Sequence, residues 1–325
     1  MSNRPLLALI TCEVTEEFLN DLKERNVQYE LDGWGKTGRA LSESQLIEKA
    51  IDCDIVIAEV EVLNKKVLES LPKLKMLGVS RGTPVNVDVE FCKSNNIYLV
   101  NTPGRNADSV ADYCLAMMLD LSRKLSASNK HLTATGWMFE EKLPYLEFRG
   151  HEIGNLKVGL FGLGQIGNRV AKRLKAGFST DVYFFDPFVE SSQFATKVET
   201  LEKLFEVCDI VSLHAPVIAE TKNSVNRNLL SKLGEKGILI NSARANLIIE
   251  EDLYESLNAN EIYGAALDVF WTEPIDVSSK WLKMPNVICT PHIAGASLDV
   301  VANHCKAILQ GIDNWLSSTS SRREI

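Results

Sequence analysis

Residues 156–187 read LKVGLFGLGQIGNRVAKRLKAGFSTDVYFFDP. An apolar run, 158–161, leads into Gly162-Leu163-Gly164-Gln165-Ile166-Gly167; a helix-forming segment follows, then a second apolar run, 182–185, and Asp186. The order is strand, glycine turn, helix, strand, acid. In such a turn the first glycine permits a tight reversal, the second lets backbone N–H groups approach a pyrophosphate, and the third lets helix and strand pack closely. The helix N-terminus adds partial positive charge for the phosphates. A glycine cluster by itself is more often an ordinary turn. Here Asp186 stands 19 residues after Gly167, near the spacing of about 20 at which an acid hydrogen-bonds an adenosine ribose. An acid there repels a 2′-phosphate, and Pro187-Phe188-Val189 supply no cation to attract one. The expected dinucleotide is NAD rather than NADP.

Strand-like and helical patterns alternate on both sides of this unit. Toward the C-terminus they occupy 200–207, 210–213, 227–233, 238–241, 250–257, 264–269 and 287–290. Toward the N-terminus they occupy 6–10, 15–25, 27–31, 42–50, 54–58, 64–71, 74–79, 87–95 and 97–101. A βαβ rhythm of this kind gives parallel sheets with helices on both faces, so the fold class is α/β with two doubly wound parallel-sheet domains. Residues 32–38 read as a surface loop in which Trp34 packs. After the punctuation of Asn101-Thr102-Pro103-Gly104-Arg105-Asn106, an apolar helix is expected over 107–125 and another over 126–137. Met117, Met118 and Trp137-Met138-Phe139 are candidates for core or subunit packing. A helix is expected over 297–316, with a frayed polar tail at 317–325.

A chain of 325 residues with 45% hydrophobic and 24% charged residues has the length and composition of two globular domains. Its net charge of −8 excludes nonspecific nucleic-acid or anionic-membrane binding, which need clustered cations. The seven cysteines, Cys12, Cys53, Cys92, Cys114, Cys208, Cys289 and Cys305, form no CxxC pair and no zinc spacing. Reduced thiols in a cytoplasmic protein without a metal site are expected. The N-terminal apolar run 5–10 is too short for a signal peptide, and no run reaches membrane-spanning length.

Three further segments, with the glycine turn, resemble the D-2-hydroxyacid dehydrogenase family: Asn241-Ser242-Ala243-Arg244; Ala266-Leu267-Asp268-Val269-Phe270-Trp271-Thr272-Glu273-Pro274; and Thr290-Pro291-His292-Ile293-Ala294-Gly295. The first half adds Ser80-Arg81-Gly82-Thr83-Pro84-Val85-Asn86-Val87-Asp88 and Asn101-Thr102-Pro103-Gly104. Among the branches the chain looks most similar to phosphoglycerate-dehydrogenase-like members, without their C-terminal regulatory domain, since it ends soon after its final helix. The resemblance implies a Rossmann NAD-binding domain, 104–292, inserted into a flavodoxin-like substrate domain made of 1–103 and 293–325. It also implies a cleft between the two; a homodimer is expected.

The chemistry can be stated without the family. Oxidising a 2-hydroxy acid removes the hydroxyl proton while a hydride leaves the same carbon; a base that titrates near neutrality suits the proton, which makes His292 the candidate. A carboxylate bonded to that imidazole fixes its tautomer and favours its protonated form, the role open to Glu273. The substrate carboxylate and carbonyl oxygen need a rigid cationic fork, which Arg244 offers at a strand end. Strand C-termini are where open α/β sheets bind ligands. Each residue taken singly reads more simply as a structural histidine or a surface charge; in this order behind a nucleotide turn they read together. His131, His151, His214 and His304 lack that context for catalysis.

By resemblance, Gly162, Gly164, Gln165, Ile166 and Gly167 hold the pyrophosphate, and His214, Ala215, Pro216 and Thr221 line the adenosine and phosphate side. Ser242, Ala243 and Gly295 fall near the nicotinamide, and Asp268 faces its carboxamide or is a strand-end residue. Arg81, Gly82 and Thr83 are placed to hold a substrate carboxylate through a glycine loop, with Asn106 a further substrate contact and a surface role open for Arg81. Two departures stand out: Ala245 where the family has Gly after the Arg, with strain expected if that backbone angle demands glycine, and Ile249 where it has an acid. Trp271 either shapes the pocket or covers its loop. The expected activity is transfer of a hydride between NAD(H) and a small 2-hydroxy or 2-keto carboxylate. Alternatives are an NAD(H)-sensing interaction protein like the family's corepressors, and oxidation of a simpler anion such as phosphite.

Overall fold

Strands covered on both faces lose the polar alternation of a half-exposed sheet and become apolar runs; that is the pattern of the inner strands of both sheets here, whereas the edge strand Val27–Leu31 alternates. The computed structural model describes residues 4–321. The chain divides into two compact units, Met1–Asn106 with Ser297–Ile325, and Ala107–Ala296.

In the first unit, β1 (Leu6–Ile10), β2 (Val27–Leu31), β3 (Ile55–Ala58), β4 (Met76–Val79) and β5 (Tyr98–Asn101) pair in parallel in the order β2-β1-β3-β4-β5, the flavodoxin order. Leu9, Val56, Ala58 and Leu77 are buried on one face. Ala8, Ile10, Ile55 and Ile57 are buried on the other, against Ile308, Ile312 and Trp315 of the helix Asp299–Ser321. The C-terminal helix is thus part of the first core, and Arg25 ties its Asp313 to the helix Glu16–Glu24 at 2.6 Å.

In the second unit seven parallel strands follow the order β12-β11-β10-β9-β6-β7-β8: β6 (Lys157–Phe161), β7 (Asp181–Phe185), β8 (Thr196–Lys197), β9 (Ile210–Leu213), β10 (Ile238–Asn241), β11 (Gly264–Leu267) and β12 (Val287–Cys289). Six of these strands end on one row. Phe185, Phe161, Leu213, Asn241, Leu267 and Cys289 are register partners, each with its neighbour in the sheet. The residues one step beyond that row are Asp186, Gly162, His214, Ser242, Asp268 and Thr290. Two apolar sets fill the faces, one around Val158, Leu160 and Ile240, the other around Phe161, Val211 and Leu239.

Local chemistry sets several boundaries. Thr15, Ser42, Asn64 and Thr200, read as first helical residues, are caps whose side chains accept from the backbone N–H three residues on. The expected helix over 107–125 instead ends at Arg123, because Lys124 takes a left-handed conformation (φ +56°), and a second helix runs Leu125–Thr135. Residues 32–38 are not wholly a loop: they hold a helical turn, Trp34–Thr37, whose start is fixed by the Trp34 N–H donating to the buried Glu61 carboxylate at 3.1 Å. Trp34 itself is 43% exposed and does not pack as expected. The tail expected to fray from 317 stays helical to Ser321; 322–325 lie outside the described residues. Met118 is buried, whereas Trp137 and Met138 are exposed.

All seven cysteines are free thiols, buried except for a half-buried Cys289. Among the described residues no helix is long and apolar enough to cross a membrane. Ile308 is wholly buried between the C-terminal helix and the first sheet. Replacing it with Ala should cost about 3 kcal/mol through lost transfer energy and a residual cavity, read as a lower denaturant midpoint for the first unit.

Candidate active site

The glycine turn closes as the strand–turn–helix pattern requires. Gly162 has φ +96°, and a Cβ there would meet Ala215 N at 2.9 Å, while a Cβ on Gly167 would run into the Gly162 carbonyl oxygen. Glycine at both is therefore a demand of the protein's own packing. Gly164 is different: its φ is −72° and a Cβ there would enter open space. The protein's own packing does not require glycine at 164, and the turn is open on that side. The helix Gln165–Phe178 starts at this point with its first N–H groups free of a side-chain cap, the arrangement that receives phosphates. Beside it opens a hollow of about 400 Å³ lined by Leu163, Gly164, Gln165, Val189 and Gln193.

Asp186, at the end of β7, faces back onto the turn. Its carboxylate accepts from Leu163 N at 2.8 Å, Phe188 N at 2.8 Å and Val189 N at 3.2 Å. Past β9, His214 is held by its own N–H to the Phe161 carbonyl at 2.8 Å, and its Nε2 is buried without a hydrogen-bond partner. Burial pushes its imidazole down to about 4, so the ring is neutral. An orphaned ring nitrogen beside Gly162 and Gly167, with Gly164 open, fits a dinucleotide at this turn. Thr221, expected on the same side, uses its hydroxyl to close its own loop, donating to the Pro216 carbonyl at 2.5 Å and accepting from Ile218 N at 2.9 Å. Ala215 is buried and Pro216 exposed.

At the other end of the row stand Arg244, Glu273 and His292. Buried Asn241 shapes the Arg244 turn, donating to the Arg244 carbonyl at 3.0 Å and accepting from Ala243 N at 3.1 Å. Ala245 then opens a 3-10 turn, Ala245–Leu247, and is not among the residues with positive φ. The backbone angle that would demand glycine is therefore absent, and no strain arises at Ala245 on that account. Ser242 pairs with Cys114 at 3.2 Å. Glu273 accepts from Phe270 N at 2.9 Å through Oε1 and from His292 Nδ1 at 2.8 Å through Oε2. Burial acts to raise this carboxyl, but those bonds and the charges of His292 and Arg244 prevail and hold it below the ordinary glutamate value.

His292 adopts a left-handed conformation, φ +55°, which a side-chain-bearing residue keeps only where its surroundings fix it. Here Asp268 does so. Wholly buried, it accepts from Thr290 Oγ1 at 2.6 Å, Ile293 N at 2.8 Å and Ala294 N at 2.7 Å, which bracket His292. The single Thr290 hydroxyl proton goes to Asp268, so Tyr113 must donate to Thr290, at 2.6 Å. Tyr113 stands in none of the sequence motifs, and Thr290 stands in one without a role of its own. The signal available was positional: Asp268 and Thr290 each lie one residue past the ends of neighbouring parallel strands. Gly295 is half-buried just after this bracket.

In the first unit, Arg81, Gly82 and Thr83 follow β4. Arg81 Nε donates to the Glu59 carbonyl, and the Gly82 carbonyl accepts from Asn101 Nδ2 at 2.6 Å. Gly82 and Thr83 are exposed, and Asn106 is half-buried.

A doubly wound sheet with a glycine turn at its first strand, and a histidine–carboxylate pair with an arginine at its later strand ends, defines a dinucleotide-binding oxidoreductase. Residues 115–294 match the model of the D-isomer specific 2-hydroxyacid dehydrogenase NAD binding domain. The chain is 33% identical over 313 residues to YoaD of Bacillus subtilis, a protein assigned by name to the 2-hydroxyacid dehydrogenases, covering 95% of this chain and 91% of that one. It is 29% identical to a glyoxylate reductase of Korarchaeum cryptofilum, over 93% and 90% of the two chains. The crystal structure of an NADPH-dependent glyoxylate/hydroxypyruvate reductase from Sinorhizobium meliloti superposes with a TM-score of 0.77 at 27% identity, covering 97% and 95%. The chain belongs to the D-isomer specific 2-hydroxyacid dehydrogenase family, oxidoreductases acting on CH–OH donors, and carries that family's NAD(P)-binding domain.

Replacing Asp268 with Ala should leave three donors around His292, that of Ala294 buried, without their acceptor and cost roughly 3 kcal/mol, measured by thermal unfolding. The depressed Glu273 carboxyl predicts a pH signature. The stability it adds is present above its unfolded value of about 4.3 and is lost as pH falls through the lower folded value. The gap in unfolding midpoint between wild type and Glu273→Gln should therefore be open at pH 6 and closed in strong acid.

Proposed function

We propose that the chain is an NAD-dependent dehydrogenase of small D-2-hydroxy acids, working reversibly as a 2-keto acid reductase. His292 is the acid/base, Glu273 tunes it and Arg244 anchors the substrate carboxylate and carbonyl. The observation that carries this reading is the 2.8 Å bond from His292 Nδ1 to Glu273 Oε2, on a carboxylate that also feels the Arg244 charge. When bound, the nicotinamide supplies or accepts the hydride. With Nδ1 committed to Glu273, Nε2 is the atom that gives its proton to the keto oxygen in reduction and takes it from the hydroxyl in oxidation. Glu273 stabilises the imidazolium, and Arg244 offers two parallel N–H donors to the substrate. Gly162, Gly164, Gln165, Ile166 and Gly167 would hold the pyrophosphate, Asp186 the adenosine ribose, His214, Ala215, Pro216 and Thr221 the adenosine side, and Ser242, Ala243, Asp268 and Gly295 the nicotinamide. Arg81, Gly82, Thr83 and Asn106 would supply the substrate contacts of the first unit.

The preference for NAD over NADP rests on Asp186 and on the lack of Lys or Arg lining the hollow beside the turn. Glyoxylate and hydroxypyruvate, named in the relatives, are the first substrates to test; a phosphoglycerate-dehydrogenase-like substrate belongs on the same panel. Trp137, Leu143, Tyr145 and Leu146 are all at least 66% exposed, an apolar surface that a second copy would cover, and sedimentation should find a dimer.

Four outcomes are expected. A panel of 2-keto acids should show NADH oxidation with at least one member; tight NADH binding with no turnover would favour the sensor alternative. NADPH should bind roughly tenfold or more weakly than NADH, a difference of about 1.4 kcal/mol, by fluorescence titration. His292→Ala should abolish turnover while leaving NADH affinity nearly intact, and unchanged turnover would refute the assignment. Gly164→Ala should keep the melting temperature of the wild type, since its Cβ meets no protein atom, yet weaken NADH.

A further inference from the structure

We propose that Trp271 is a positioning residue for the catalytic group, tying the loop that carries Glu273 to the loop that carries Arg244. The inference rests on the roles proposed for those residues. The indole Nε1 of Trp271 donates to the Ile248 carbonyl at 3.2 Å. Ile248 is a fixed point: wholly buried, it closes the 3-10 turn after Arg244 through its N–H to the Ala245 carbonyl at 2.9 Å and bridges to Val225. Arg244 and the Trp271 anchor are thus opposite ends of a single short turn.

The ring of Trp271 is held as firmly as its N–H. It stacks on Trp281 with centroids 5.4 Å apart and planes 16° apart. Trp281 is itself buried, donates from Nε1 to Glu250 at 3.1 Å and meets Tyr254 edge-on. Glu250 and Tyr254 belong to the helix Glu250–Asn258, which begins directly after Ile248-Ile249. The segment leaving Arg244 therefore grips Trp271 twice, by a hydrogen bond and through Trp281.

On its other side Trp271 adjoins the contact that aims Glu273. Phe270 N holds Oε1 at 2.9 Å, which turns Oε2 to His292 Nδ1. A shift of the Trp271 backbone moves that Phe270 N–H with it. Misplacement of a reacting group by about 1 Å costs on the order of a hundredfold in rate, so a strut between the two loops acts on turnover without touching substrate. Trp271 then does more than cover its loop.

The discriminating variant is Trp271→Phe, which keeps an aromatic ring to stack, though a smaller one, and removes the N–H; Trp271→Ala removes both. Expected for Trp271→Phe are a fall in kcat of about tenfold, an unchanged KM for NADH and a melting temperature close to wild type, with Trp271→Ala more severe. A second readout needs no substrate: the His292 Nδ1 proton, identified among the five histidines by its loss in His292→Ala, should weaken or shift upfield in Trp271→Phe as its bond to Glu273 loosens. If kcat, keto-acid KM and the Nδ1 proton of Trp271→Phe all match wild type, the strut is refuted. A wild-type protein inactive on every keto acid would overturn the functional reading instead, and the Nδ1 signal would still decide the role of Trp271. Failure of Trp271→Ala to fold leaves the decision with Trp271→Phe.

Discussion

Parallel pairing in a common register is the constraint on which the site depends. Because Phe185, Phe161, Leu213, Asn241, Leu267 and Cys289 share a row, the chain leaves the sheet at one edge in six consecutive places. Residues as far apart in sequence as Phe161 and Leu213 emerge as neighbours. A parallel sheet needs helices to return each strand to its start, so the loops at this edge are free of structural duty to cross the sheet. They carry the glycine turn, Asp186, His214, Arg244 and the Asp268 bracket.

Within that edge, polar groups are tethered to backbone more than to one another. Asn241 holds the Arg244 turn, Asp268 holds both flanks of His292, and Phe270 N holds Glu273. Backbone donors cannot change rotamer, so carboxylates fixed by them keep their aim more strictly than those paired to long side chains. The left-handed His292 shows what such fixing permits: a conformation with a local cost of order 1 kcal/mol or more is kept because three bonds over-determine it.

Much of this architecture was legible in sequence because its signals are local. Strand runs and the glycine turn each declare themselves within a few residues, and the segments at 266–274 and 290–295 pointed to Glu273 and His292, which the structure brings within hydrogen-bond distance. What escaped were pairings set by three-dimensional proximity. Nothing near Tyr113 announces Thr290, and nothing near Trp271 announces its stack on Trp281 or its bond to Ile248. A break between two helices was expected here, but its place at Lys124 was hidden because lysine is an ordinary helix former, and the turn at Trp34–Thr37 was hidden because it is nucleated by Glu61 from elsewhere in the first unit.

The buried thiols have a consequence of their own. Burial raises Cys12 and Cys208 to about 12 and Cys53, Cys92, Cys114 and Cys289 to about 11, and raises Cys305 too, which leaves almost no thiolate in the folded protein at neutral pH. Four of these residues, Cys12, Cys53, Cys92 and Cys305, belong to the first unit and three to the second. Alkylation of the six buried cysteines, Cys289 set aside as half-buried, then reports opening rather than surface chemistry. Mapping which cysteines are labelled, and when, times the breathing of each unit separately, with reporters the sequence already contains.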